Sequence, residues 1–175
     1  MKIGRNIARR ILERILPEEI AYAHCDIPCG IYDPHYAQMA AHTVIRMDTL
    51  IGEGTEKAKG SSSPTEMEQQ VHAMARYTEI KERHAEICKH EVRILWGDYF
   101  KPDHAEAFPD LHDLVWKVMM LGSQSKQTTD LQVGEELLDT VNRIAEIFWK
   151  TKDVTTVRTG SHYPTGREMV VPTAG

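Results

Sequence analysis

Hydrophobic residues recur every three or four positions along four segments of the chain, which is the spacing of amphipathic helices. These segments cover about residues 35–51, 63–96, 110–122 and 130–151. None of them alternates polar and apolar residues in the two-residue period of a strand. The pattern therefore predicts an all-α fold, an antiparallel (up-and-down) four-helix bundle over residues 35–152.

The same periodicity predicts which side chains are buried. Along the second helix, the expected buried positions are Val71, Met74, Thr78, Ile87, Ile94 and Leu95. Cys88 lies in this helix and is expected to be a small core residue. Four methionines are expected to fill the core: Met39, Met74, Met119 and Met120. Residues 52–64, which contain Gly, Ser and Pro, are predicted to form a loop.

The two ends of the chain differ from the predicted bundle. Residues 1–23 carry five basic and three acidic side chains, although the whole chain has a formal net charge of −5. Isoleucines at helical spacing in this segment predict a basic amphipathic helix, which we interpret as a cleavable leader. Glu13 and Arg14 interrupt the apolar core that a secretory signal requires, so we expect a cytoplasmic protein. Residues 153–175 are predicted to be a polar tail.

Composition narrows the possible functions. The net negative charge, with no basic stripe, argues against a general nucleic-acid-binding protein. No apolar run approaches the ~20 residues that a membrane span needs. Three cysteines are an odd number in a chain of 175 residues, which is not the pattern of a disulfide framework.

The candidate metal-binding residues lie close together in residues 24–34, HCDIPCGIYDP, which we call the hook. Cys25 and Cys29 alone are compatible with a disulfide, with half of a zinc site or with two inert thiols. If the chain were cleaved before His24, this residue would supply a free amine and an imidazole. Cys25 would supply a backbone nitrogen and a thiolate, and Cys29 would supply a second thiolate. Two nitrogens and two sulfurs in a plane suit Ni(II) or Cu(II).

The hook resembles the N-terminal segment of nickel superoxide dismutases, whose mature chains begin HCDxPCGxYDP. Two further segments resemble that family in the same order along the chain: LWGDYFKP at 95–102 and IFWKTK at 147–152. The resemblance implies a four-helix bundle that assembles as a homohexamer. It also implies a leader that a maturation protease removes.

The resemblance assigns roles to individual residues. His24, Cys25 and Cys29 would bind the nickel ion, and Tyr32 and Tyr99 would border the approach of the superoxide anion. Lys101 would attract that anion to an otherwise acidic protein.

Two positions depart from the family pattern. Ala40 stands where the family has a glutamate that holds the hook histidine, and His84 stands where it has an arginine. Residues that orient a metal-bound histidine commonly contribute about 10–100-fold to affinity or activity. Two alternatives to a dismutase therefore stay open: a metal-binding homologue without dismutase activity, and a helical assembly or interaction protein.

Overall fold

A computed structural model describes residues 30–173, so residues 1–29, with the predicted leader and the three expected metal ligands, lie outside the described part. The described chain is mostly helical and ends in a two-stranded sheet. Its elements are α1 (His35–Gly60), α2 (Pro64–Ile94), a π-helix (Leu95–Tyr99), α3 (Pro102–Ala107), α4 (Leu111–Gln127), α5 (Leu131–Lys150), β1 (Thr156–Gly160) and β2 (Glu168–Pro172). No described helix is long and apolar enough to cross a membrane.

The four long helices share one hydrophobic core. Helix α1 packs against α2 and α5, and α4 packs against the same two helices. Side chains from all four are buried, including Val44, Cys88, Val118 and Ile144. The burial of Cys88, Ile94 and Leu95 confirms the sequence predictions for these positions.

Helix α1 continues nine residues beyond the end predicted for it, through the segment that was expected to be a loop. A Cβ atom at Gly54 would lie 3.1 Å from Cγ of Met74, so this glycine allows α1 and α2 to approach closely. The glycine thus serves packing and does not end the helix. The chain reverses only after Gly60, and Ser63 caps α2 by accepting a hydrogen bond from the backbone N–H of Glu66.

Some side chains expected in the core lie at the surface. Val71 is 60% exposed, Met39 is 38% exposed and Met120 is 54% exposed, so these predictions were wrong. The buried residues of α2 begin only at Lys81, although its hydrophobic pattern begins at Val71. The hydrophobic stripe therefore extends further along this helix than its buried face does.

A buried ion pair joins α1 to α2. Lys81 Nζ lies 2.9 Å from Asp48 Oδ1, and both side chains are almost completely inaccessible. Lys81 also donates to the backbone carbonyl of Thr128, just beyond α4. Burial raises the pKa of Asp48, although the bond to Lys81 opposes that shift. The pair fixes how three helices meet, and the hydrophobic pattern gave no sign of it.

Residues 156–172 form a β-hairpin where the sequence predicted only a polar tail. Strands β1 and β2 pair antiparallel, with Arg158 opposite Val170. The side-chain amide of Gln38, on α1, donates to the carbonyl of Val170 and accepts from its N–H. Asn142, on α5, donates to the carbonyl of Glu168. These bonds, with the burial of Met169 and Val170, attach the hairpin to α1 and α5.

Candidate metal centre

The hook can be followed structurally only from its closing residues. Gly30 has φ +71°, a left-handed conformation that glycine adopts readily. His24, Cys25 and Cys29 lie outside the described residues, so their assignment as metal ligands stays a prediction. Within residues 30–173, no group of three or more His, Cys, Asp or Glu side chains is arranged to hold a metal ion. The hook stays the predicted metal site on the grounds of its sequence.

Cys88 is not a candidate ligand. Its side chain is completely buried in the core, and burial raises the pKa of its thiol to about 12. A thiol with that pKa stays protonated at neutral pH, whereas metals bind thiolates.

Tyr32 and Tyr99 lie in contact in the structure, and their role at the site stays a prediction. Their ring centroids are 5.4 Å apart and the rings are inclined at 52°. Tyr32 follows the hook cysteine Cys29 by three residues, and Tyr99 ends the π-helix. Two segments that are far apart in the sequence therefore bring their tyrosines into contact.

Tyr99 is held on several sides. Its ring centroid is 4.6 Å from that of Phe148, and it stacks on His104 at 5.7 Å. Its hydroxyl lies 2.7 Å from Oγ1 of Thr151, at the end of α5. Tyr99 belongs to the LWGDYFKP segment, whereas Phe148 and Thr151 belong to IFWKTK. The two downstream segments that carried the family resemblance thus meet at this tyrosine.

A lysine that the sequence did not single out lies over the Tyr99 ring. Lys152 Nζ lies 5.1 Å from the Tyr99 ring centroid and 5.2 Å from that of Phe148, within the range of a cation–π interaction. Lys101 is exposed, and its Nζ donates to the backbone carbonyl of Asp98 at 3.1 Å. The only sequence signal for Lys152 was its place as the last residue of IFWKTK.

The two departures from the family pattern have different environments. Ala40 is completely buried in α1. On α2, His84 is partly buried and its Nδ1 lies 2.9 Å from the carbonyl oxygen of Ile80. A carbonyl only accepts, so Nδ1 carries the proton and Nε2 of a neutral His84 is an acceptor. Arg83 is exposed and lies 3.6 Å from Glu79.

Comparison with known proteins identifies the family. The model for nickel-containing superoxide dismutases matches residues 19–152. The superoxide dismutase [Ni] of Streptomyces coelicolor is 40% identical over 136 residues, which cover 78% of this chain and 93% of that protein. The corresponding protein of Streptomyces seoulensis is 39% identical with the same coverage. A native nickel superoxide dismutase structure is 41% identical, with a TM-score of 0.59 and coverage of 74% of this chain and 99% of its own. The chain belongs to the nickel-containing superoxide dismutase family.

Proposed function

We propose that the protein is a nickel-dependent superoxide dismutase, which converts two superoxide anions and two protons to dioxygen and hydrogen peroxide. The observation that carries this proposal is the sequence HCDIPCGIYDP in a chain that belongs to the family. The contact between the hook-derived Tyr32 and Tyr99 supports it.

The donor set of the hook fits nickel. Once the chain begins at His24, the free amine, the Cys25 amide nitrogen and the thiolates of Cys25 and Cys29 would hold the metal, and the His24 imidazole would be a further ligand. Anionic sulfur and amide donors favour a higher oxidation state and a planar geometry. When bound, nickel would supply one-electron exchange between Ni(II) and Ni(III).

The protein's own side chains would control access. Tyr32 and Tyr99 would order water and limit the approach to small anions. Lys152 beside Tyr99, together with Lys101, would provide positive charge for superoxide in a chain of net charge −5.

The architecture and assembly are part of the proposal. We infer an antiparallel up-and-down bundle of the four long helices, which the metal-binding hook precedes in the sequence. Three-residue connections between α1 and α2 and between α4 and α5 support this topology. Family resemblance further suggests a homohexamer and a leader removed by a maturation protease. The charges of Glu13 and Arg14 in the N-terminal segment favour a cytoplasmic location.

A metal-binding homologue without dismutase activity is the second candidate. It is favoured by Ala40, whose buried methyl group offers no acceptor for the hook histidine. Loss of such an orienting group commonly costs about 10–100-fold in metal affinity or activity.

The decisive experiment compares nickel-loaded and metal-free protein that begins at His24. Superoxide decay is followed by stopped-flow absorbance, and bound nickel is measured by elemental analysis. A dismutase accelerates the decay only when nickel is bound. Stoichiometric nickel without acceleration would reject the proposal and select the second candidate.

A further inference from the structure

The hydroxyl of Tyr99 makes a hydrogen bond whose direction the geometry fixes. Its oxygen and Oγ1 of Thr151 lie 2.7 Å apart, and either hydroxyl taken alone could donate. Oγ1 of Thr151 also lies 2.7 Å from the carbonyl oxygen of Phe148, which only accepts. A threonine hydroxyl has one proton, and Thr151 donates it to Phe148. Tyr99 therefore donates to Thr151.

The surroundings of Tyr99 keep this arrangement in place. The ring contacts Phe148 and His104, and Lys152 lies over it. The proton of the phenol points toward the end of α5, so only the lone pairs of its oxygen remain for other partners. A phenol held in this way accepts a hydrogen bond on its free side.

We infer that Thr151 is a positioning residue that makes Tyr99 a hydrogen-bond acceptor toward the superoxide site. The inference rests on the proposed function, in which Tyr99 borders the approach of superoxide. Tyr99 then accepts from a water molecule and keeps its own proton. The two protons that convert two superoxide anions to dioxygen and hydrogen peroxide come from solvent water and not from this phenol.

The first test detects the hydrogen bond by NMR in metal-free protein, so it does not depend on nickel binding or on turnover. Metal-free protein is labelled with 13Cζ-tyrosine, and the Tyr99 signal is assigned as the one absent from Tyr99→Phe. We expect Thr151→Val, which keeps the shape but removes the hydroxyl, to shift this signal. Thr151→Ser, which keeps the hydroxyl, should leave it near its original position. An unchanged Tyr99 signal in Thr151→Val would overturn the inference whatever the activity of the protein.

The second test asks whether the bond matters for turnover. In nickel-loaded protein, Thr151→Val should lower kcat for superoxide about fivefold, the factor expected from one hydrogen bond of ordinary net strength. Thr151→Ser should restore it. Adding Thr151→Val to Tyr99→Phe should cause no further loss, because the bond is already absent.

The outcomes separate this inference from the proposed function. Thr151→Val could instead lower kcat equally in protein with the Tyr99 hydroxyl and in Tyr99→Phe. Thr151 would then act by stabilising the end of α5, and the positioning role would be overturned. A shifted NMR signal in a protein that binds nickel but never accelerates superoxide decay would reject the dismutase proposal, and with it the role of this bond in turnover.

Discussion

The three cysteines of the chain differ in the chemistry open to them. Cys88 is completely buried in the core, where its thiol stays protonated. Cys25 and Cys29 instead belong to the hook, where each thiolate would be a metal ligand. We expect Cys25→Ser and Cys29→Ser to abolish nickel-dependent activity, a loss of at least about 100-fold, because a serine hydroxyl is a poor substitute for a thiolate. Stopped-flow superoxide decay measures the loss.

Cys88→Ser is the matched control for the hook variants. It should retain dismutase activity and lower the free energy of unfolding by about 1–2 kcal/mol, because it places a hydroxyl in the core. Near-normal turnover in either hook variant would show that the assigned ligands are wrong.

A substitution at position 40 tests whether this chain can accommodate the glutamate that the family pattern has there. Ala40 is completely buried, so Ala40→Glu places a carboxylate in the core. We expect this variant to lower the free energy of unfolding by about 2 kcal/mol or more in urea denaturation, because a buried charge without a partner is costly. Adding His84→Arg should recover part of the loss if the family's Glu/Arg pair can form here. Arg83 is the control position, since Arg83→Lys on the exposed face should give no such recovery.

The sequence named candidate site residues but not their contacts. Motif matching named Tyr32 and Tyr99, and the structure shows that their rings are in contact. Lys101 was also named, whereas Lys152 was not singled out, because a motif gives no direction for a side chain. Whether a lysine lies over an aromatic ring depends on where two helices end, and that information is absent from the local sequence.

At the scale of elements, helical periodicity identified the four long helices but not all of their ends. The sequence predicts a loop around Gly54, because glycine usually interrupts helices. Its role is a tertiary contact with Met74, which no local pattern encodes. The hairpin was missed for a related reason. Its strands have five residues each, and its attachment depends on Gln38 and Asn142, which are distant in sequence.

Docking of the hairpin should depend on pH through His42. This side chain is 3% exposed, its Nδ1 lies 2.8 Å from Oγ1 of Thr165, and its ring packs edge-on against Tyr163. Burial, with a smaller contribution from His35, lowers the pKa of His42 to about 4. Arg46, which lines the same cavity, adds positive charge. The undocked histidine has an ordinary pKa of about 6.5 and binds a proton more readily.

Docking is therefore fully stable above about pH 6.5 and weakens as the pH falls toward 4, where the docked form is also protonated. We expect the protection of the Val170 amide against hydrogen exchange, corrected for the intrinsic rate, to fall by about tenfold or more between pH 7 and pH 5. This amide donates to Gln38.

Two histidine variants make the pH test specific. His42→Gln should flatten the pH dependence because the titrating group is gone. His162→Gln is the matched control, since His162 is exposed in the same hairpin and should not contribute. If the slope persists in His42→Gln, another group controls docking.

At the scale of the whole molecule, we expect activity to depend on where the mature chain begins. In the uncut chain the nitrogen of His24 belongs to a peptide bond and is a poor metal ligand. After cleavage it is a free amine beside the Cys25 amide and thiolate. We therefore expect residues 1–23 to be absent from active protein, with His24 as its first residue. Intact mass spectrometry and N-terminal sequencing of protein from its native host test this expectation.

A set of three proteins isolates the contribution of the amine. The first begins at Met1, the second at Ala23 and the third at His24, each incubated with nickel under the same conditions. The protein that begins at Ala23 lacks the whole basic segment before it but still has a peptide bond at His24. It should resemble the uncut chain, with activity at least about tenfold below that of the third protein, the scale expected when a metal site is disturbed. If the proteins that begin at Ala23 and His24 are equally active, removal of the leader matters for a reason other than the free amine, and the proposed ligand set is wrong.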